Sequence, residues 1–297
     1  MNGMVKKIVT LLLLLCGALG MDAQLDKLRG AFIAVQNGNL DSAKILIDAA
    51  SKHPETMNEG QTWYLKGFIY KDIFKKTPVA KREVSVAKDA FEASKKSILL
   101  DTTRDNKQNN LSLVKSECAL VNNSFGEMLD SNNYKKAIAC IDLEKELVHY
   151  LRPKAKIDSL EAYYYMVFGS AFQSSYEKSP KKNQRYLRLA EEGFNNVLIR
   201  EPNNIMANYD MGIIYYNQAV SVIMNKLDYD YDIVTLNDIQ SEALSLFKKS
   251  LPYMEKAYQL NPRRKETLVG LSGIYYSLHD NEKYEQFQKL SKDMDKQ

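Results

Sequence analysis

Proline is scarce in this chain, 7 residues in 297. A proline inside a helix removes a hydrogen bond and clashes with the preceding turn, so scarcity permits long helices and argues against a loop-rich fold. Cysteine is scarcer still, at 3. That excludes a disulfide-framed small domain and any site built on paired Cys-x2-Cys. There are 3 histidines, His53, His149 and His279, far apart in sequence. No His-Glu-x2-His occurs, and each histidine falls near an expected helix end, where a positive group is mildly favourable. Glycine-rich phosphate loops and a Gly-x-Ser-x-Gly elbow are absent. No catalytic set is legible, and no metal or cofactor is expected. Charge of one sign is also lacking. The formal net charge is +4, too weak to imply nucleic acid. Long apolar runs are missing except at the N-terminus.

That N-terminal run reads as a secretory signal over residues 1–23. Lys6 and Lys7 form a charged start, Ile8 to Gly20 is leucine-rich, and Met21-Asp22-Ala23 ends on a small residue before Gln24. The apolar stretch is short for a bilayer span. A buried N-terminal helix or an anchor is the competing reading. A lipoprotein variant would acylate Cys16, but the preceding Leu15 is larger than the small residue such sites favour. Cleavage removes two lysines and one aspartate and leaves +3. Residues 24–297 are then expected as one exported repeat domain, periplasmic in the simplest case.

What is abundant is tyrosine, at 19, together with a recurring helical cadence. Leu28, Ala31, Phe32 and Val35 lie at helical spacing. Asn37-Gly38 closes that helix and Asn39 opens the next, which runs Ala43-x3-Ile47-x2-Ala50 to Pro54. Trp63-x2-Lys66-Gly67-x2-Tyr70 follows, then Ala90-x3-Ser94-x2-Ser97. Next come Val121-x3-Phe125-x2-Met128 and Asn133-Tyr134-x2-Ala137-x3-Ile141. A clear copy reads Tyr165-x2-Phe168-Gly169-x2-Phe172, then Ala190-x3-Phe194-x2-Val197-x4-Pro202. Asn208-x2-Met211-Gly212-x2-Tyr215 is followed by Ser250-x3-Met254-x2-Ala257 and Pro262. Leu268-x2-Leu271-Ser272-x2-Tyr275 and a charged helix from about Glu282 to Met294 close the chain.

These units resemble tetratricopeptide repeats, whose pattern combines an aromatic, an apolar-Gly pair and Tyr with Ala-x3-Phe and a closing Pro. The resemblance covers nearly all of the presumed mature chain. It implies an all-α, right-handed α-solenoid of about six helical hairpins. Each hairpin buries its apolar face against its neighbours. The match departs in spacing. Gly67, Phe125, Gly169, Gly212 and Ser272 are 58, 44, 43 and 60 residues apart instead of about 34. Extra residues fall at about Lys71–Val86, Ser174–Tyr186 and Gln218–Glu242, as helix extensions or loops.

Cys118 and Cys140 lie in one expected hairpin with an axial offset of roughly 10 Å, beyond disulfide reach, so both are expected as thiols. Asp228-Tyr229-Asp230-Tyr231-Asp232 has the alternating aspartates of a calcium loop. Ile233 stands where glycine is required and Ile239 where a bidentate Glu belongs, so a solvated acidic loop is expected. Asp41-Ser42-Ala43 and Asp158-Ser159-Leu160 resemble Asp-Ser/Thr-apolar glycosylation sites of periplasmic systems, and equally read as helix starts.

In the repeat family the first helix of each hairpin lines a concave groove. Mapped onto this chain, the groove positions are Tyr64, Phe68, Tyr163, Tyr209, Tyr216 and Tyr276. Tyrosine couples an apolar face to a polar tip, which suits peptide or sugar recognition. The same rings would equally fill gaps between long helices. The expectation is a non-catalytic exported scaffold binding a protein or peptide. A carbohydrate-handling accessory protein, or an enzyme assembled from the insertions, are the alternatives.

Overall fold

The computed structural model describes residues 23–101, 103–130, 132–178, 184–226 and 232–294. Residues 1–22 of the expected 1–23 signal lie outside them, as do Asp228, Tyr229, Asp230 and Tyr231. Among the described residues there are twelve α-helices, one short 3-10 turn and no strand. The helices are α1 (Ala23–Gln36), α2 (Leu40–Ala50), α3 (Gly60–Lys76), α4 (Val84–Leu100), α5 (Arg104–Glu127), α6 (Tyr134–Leu151), α7 (Ile157–Glu177), α8 (Gln184–Arg200), α9 (Ile205–Lys226), α10 (Ile233–Leu260), α11 (Lys265–Ser277) and α12 (Asn281–Met294). The described residues are therefore all-α, as the cadence predicts, and they fold as successive helical hairpins.

Local chemistry sets the boundaries. Gly38 adopts φ +75°, the left-handed conformation that glycine takes at no steric cost, and it ends α1. Asn39 then caps α2, its side chain accepting the Ser42 N–H at 3.1 Å. Two expected insertions are partly helix extension: α3 continues to Lys76 and α7 to Glu177. The third lengthens both arms of a hairpin, α9 to 22 residues and α10 to 28. Ser250 is not where the second arm resumes, because α10 begins at Ile233 and carries Pro252 within it.

The chain divides into two compact units, Met1–Ser124 with Glu146–Leu151, and Phe125–Lys145 with Arg152–Gln297. The division falls within α5 and α6. In the first unit α1 pairs with α2 and α3 with α4, and α2 packs on α3. Its core gathers Leu28, Ala31, Ala43, Ile47, Leu65, Ile69 and Ala90. In the second unit α7 pairs with α8, α9 with α10 and α11 with α12, and successive pairs touch through α8–α9 and α10–α11. This neighbour-to-neighbour packing is what a repeat fold requires.

Small residues let the paired helices approach. At the α7–α8 crossing a Cβ on Gly193 would lie 2.7 Å from the Gly169 Cα, and one on Gly169 would lie 2.8 Å from the Phe194 ring. Serines stitch two other crossings: Ser97 Oγ donates to the Gly60 carbonyl and Ser250 Oγ to the Gly212 carbonyl, each at 2.7 Å. Around these crossings Phe168, Phe172, Phe194, Val197, Met211 and Met254 are essentially inaccessible.

Candidate functional site

The second unit carries the more developed surface. α11 is only 13 residues long, and Glu266, Val269, Gly273 and Tyr276 follow one another at three- and four-residue steps, which places them on one face. Val269 and Tyr276 are 53% and 63% exposed. Between them Gly273 leaves a notch. A Cβ there would stand 2.7 Å from the Tyr216 hydroxyl and 3.1 Å from its ring. Tyr216 reaches this place from α9, and its ring meets Phe247 edge-on at 5.5 Å. A single tyrosine thus joins the core to the α11 face.

Tyr276 leans on Tyr284 of α12, ring centroids 5.2 Å apart. At the other end of α11 the Arg264 guanidinium lies 3.6 Å over the Tyr209 ring. The same guanidinium donates to Met206 Sδ at 3.0 Å and approaches Glu266 at 3.5 Å. Such a cation on a ring face contributes roughly 0.5–2 kcal/mol. Met206 is 47% exposed. From Arg264 to Tyr276 the face runs roughly 18 Å at 1.5 Å per residue. An extended peptide of about five or six residues covers that length. Below it, burial raises the Asp210 carboxyl to about 6, with Arg264 opposing.

Three of the six aromatic residues read from the sequence lie on α9 and α11, each with its own partner: Tyr209 under Arg264, Tyr216 against Phe247 and the Gly273 notch, and Tyr276 against Tyr284. Tyr163 is exposed on α7 and sits edge-on to Tyr164 at 5.6 Å. Tyr64 and Phe68 belong to the first unit. Phe68 is buried, and both pack with Leu113, Phe32 and Val35. The Lys71 ammonium stands 4.5 Å over the Phe68 ring, so that ring offers little free surface.

The first unit holds a cleft that the sequence reading passes over, about 550 Å³, lined by Trp63, Lys66 and Tyr70 from α3 and by Asp89, Glu92, Lys96 and Leu99 from α4. Trp63 is fixed by its indole N–H donating to the Met57 carbonyl at 2.7 Å. The Lys96 ammonium lies 3.7 Å over that ring, and Lys66 lies 5.4 Å from both the Trp63 and Tyr70 rings. Behind them Asp48 takes Lys44, Lys66 and the Tyr70 hydroxyl within 3.0 Å. Burial works against the Asp48 charge. The hydrogen bonds from Lys44, Tyr70 and Lys66 outweigh burial and hold the carboxyl below its ordinary value. Trp63 reads in sequence as a repeat-signature aromatic. The recurrence of Asp89, Glu92, Lys96 and Leu99 along one side of α4 was the available signal.

The motifs weighed for chemistry are placed as helix-end features. Asp232 caps α10, accepting the Thr235 N–H at 2.7 Å. Asp41-Ser42 and Asp158-Ser159 lie in first turns. Cys118 and Cys140 form no disulfide, and Cys140 is buried with its Sγ 3.8 Å from Met128 Sδ. Among the described residues no group of three or more His, Cys, Asp or Glu is placed to hold a metal ion. Among the same residues no helix is long and apolar enough to cross a membrane.

No protein-family model matches the sequence, and neither does any characterised protein. Among solved structures the chain is similar to a TPR repeats protein, BF2334, from Bacteroides fragilis NCTC 9343. That match has 18% identity and TM-score 0.42, over 90% of this chain and 98% of that one. It is also similar to PilW, described as a widely conserved type IV pilus biogenesis factor, at 13% identity and TM-score 0.27, over 91% and 92%. A third is MamA, at 18% identity and TM-score 0.24, over 80% and 95%.

Proposed function

We propose that this protein is an exported, non-catalytic scaffold that holds a peptide segment of a partner protein along the α9–α11 face. The observation that carries the reading is Tyr216 filling the Gly273 notch between the exposed Val269 and Tyr276. The arrangement presents apolar and aromatic area with phenol tips on a rigid helix pair. Rigid aromatic anchors of this kind dominate peptide-binding energetics. Arg264 and Glu266 at one end supply charges that set the direction of a bound chain. Export rests on the Lys6-Lys7 start and the Ile8–Gly20 run.

A carbohydrate stacking on the same rings is the competing reading. The test screens the full mature chain against a displayed peptide library and against a glycan array. A selected peptide should bind, and Tyr276→Ala and Val269→Asp should each weaken it about tenfold or more. Both side chains are exposed, so the melting temperature should hold. Selection of glycans alone, or peptide binding untouched by both substitutions, would overturn the proposal.

A further inference from the structure

The cleft of the first unit has no part in the α11 face. Its two sides are α3 and α4, which run antiparallel. A Cβ on Gly60 would meet Asp101, and one on Gly67 would meet Ser94 and the Ala90 carbonyl. Trp63 therefore lies at the Lys96 end of the cleft and Tyr70 at the Asp89 end. A volume of about 550 Å³ is that of a small-molecule site. Both rings are fixed before a ligand arrives. The Trp63 indole N–H is engaged by the Met57 carbonyl and the Tyr70 hydroxyl by Asp48.

Most charges of the cleft are already matched. Lys66 pairs with Asp48 at 3.0 Å, and Asp48 also takes Lys44 at 2.8 Å. Lys95 pairs with Glu92 at 2.6 Å. Two lining charges remain. Among the described residues Lys96 pairs with no carboxylate and Asp89 with no cation. The Lys96 ammonium lies instead 3.7 Å over the Trp63 ring, and Asp89 is exposed. Seven residues separate them on α4, which is two turns and about 10.5 Å along one face. Leu99, one turn beyond Lys96, is 78% exposed at the same end.

These two unmatched charges select the occupant. A polyanion would meet Asp89 and Glu92, and a polycation would meet Lys66, Lys95 and Lys96. A neutral sugar would leave both Lys96 and Asp89 without a counter-charge. A ligand with a carboxylate at one end and an ammonium at the other answers both. At roughly 3.3 Å per residue, an extended peptide of about three residues spans the distance. A segment inside a longer chain has neither terminal charge.

We propose that the α3–α4 cleft binds a short peptide of about three residues with both ends free. Its C-terminal carboxylate sits on Lys96, its terminal ammonium on Asp89, and an apolar last side chain lies against Leu99 and Trp63. This site is separate from the α11 face and stands or falls without it.

Trp63 is the chain's single tryptophan, so its emission reports on this cleft alone. The test titrates the full mature chain with the tripeptide Ala-Ala-Leu, both termini free, followed by Trp63 fluorescence and by calorimetry. Saturable binding is expected. The C-terminal amide and the N-acetylated peptide should each bind about tenfold or more weakly, since each loses one charged hydrogen bond. Lys96→Gln should bind the free peptide as weakly as the amide and no longer tell the two apart. Asp89→Asn should likewise lose the distinction between free and acetylated peptide. Far-UV circular dichroism checks that both variants fold. Tyr276→Ala should bind as the parent does, which separates this cleft from the α11 face. Blocked peptides binding as well as the free one would overturn the proposal and make the occupant a segment of a longer chain. Weakening by the amide with none by acetylation would overturn it in favour of a simple carboxylate site. No saturable binding by either readout, or variants that keep the parent's discrimination, would reject the cleft as a peptide site.

Discussion

Replacing Gly193 with alanine tests whether the α7–α8 crossing is as close as described. The new Cβ would sit 2.7 Å from both the Cα and the N of Gly169 and 3.0 Å from the Tyr165 carbonyl oxygen. All three are backbone atoms, so no rotamer change relieves the contact. Carbon pairs settle near 3.5–4.0 Å, so the two helices must part by about 1 Å. Parting loosens Phe168, Phe172, Phe194 and Val197, whose exposures are at most 1%. Overpacking costs roughly 1–3 kcal/mol, and alanine returns up to about 1 kcal/mol in helix propensity. With backbone on both sides the cost lies at the upper end, for a net loss of about 2 kcal/mol. A unit of this size should melt about 4–8 °C lower. Gly126 provides the control, since a Cβ there meets nothing within 4 Å. Gly126→Ala should be neutral or gain up to about 1 kcal/mol. Thermal unfolding followed by circular dichroism reads both, and if the two units melt separately only the second transition should move for Gly193→Ala. A neutral or stabilising Gly193→Ala would refute the close crossing.

Other substitutions probe single features. Glu117 is buried with Ser94 Oγ donating to Oε1 at 2.7 Å, and burial raises its carboxyl to about 7. The folded state therefore holds a proton that the unfolded state, titrating near 4.5, gives up, so this group's contribution is full below about pH 4.5 and is lost as pH rises to about 7. That loss amounts to as much as about 3 kcal/mol, and Glu117→Gln should flatten the slope of urea stability against pH over this window; an unchanged slope would assign the dependence elsewhere. Gly273→Ala should push back the Tyr216 hydroxyl, weakening peptide binding at a stability cost of about 1 kcal/mol, because the side-chain end moves more cheaply than backbone; parental binding would make the notch irrelevant. Thiol labelling of the denatured, unreduced mature chain should find two groups, and in the folded state buried Cys140 should react more slowly than half-buried Cys118; finding none would mean a disulfide. Mass spectrometry of the cell-fractionated protein should give an N-terminus at Gln24, and an uncleaved cytoplasmic chain or an acylated Cys16 would reject that cleavage.

The hairpins are legible in the sequence because two constraints coincide locally. An apolar stripe recurs with the helical period, and small residues mark where helices cross. Ala43, Ala90, Gly169, Ala190 and Gly212 are all buried. Caps are legible for the same reason, as at Asn39, where donor and acceptor are three residues apart. The length of α10 was not legible. The apolar residues of its first turns, Ile233, Val234 and Leu236, face solvent and do not extend the buried stripe, and Pro252 suggests a boundary that the helix passes through.

The candidate site exposes a deeper limit. A groove tyrosine and a core tyrosine impose the same local pattern, because both ask for a large apolar ring at a fixed helical position. What separates them is a residue on another helix, distant in sequence. Tyr209 has one ring face covered because Arg264 lies over it, 55 positions later. Tyr216 reaches the α11 face because position 273 lacks a Cβ, 57 positions later. The repeat pattern points to Ser272 as the signature position and passes over its neighbour. Ser272 is 9% exposed, and its one-residue displacement from Gly273 separates the packed side of α11 from the notch. Phe68 makes the converse point. It holds a groove position by pattern, yet Leu113 and Lys71 leave its ring little open surface. How far a ring stays open in this chain is thus set by residues beyond its own repeat position: a glycine at 273 lets Tyr216 reach the α11 face, whereas a cation covers one face of Tyr209 and of Phe68.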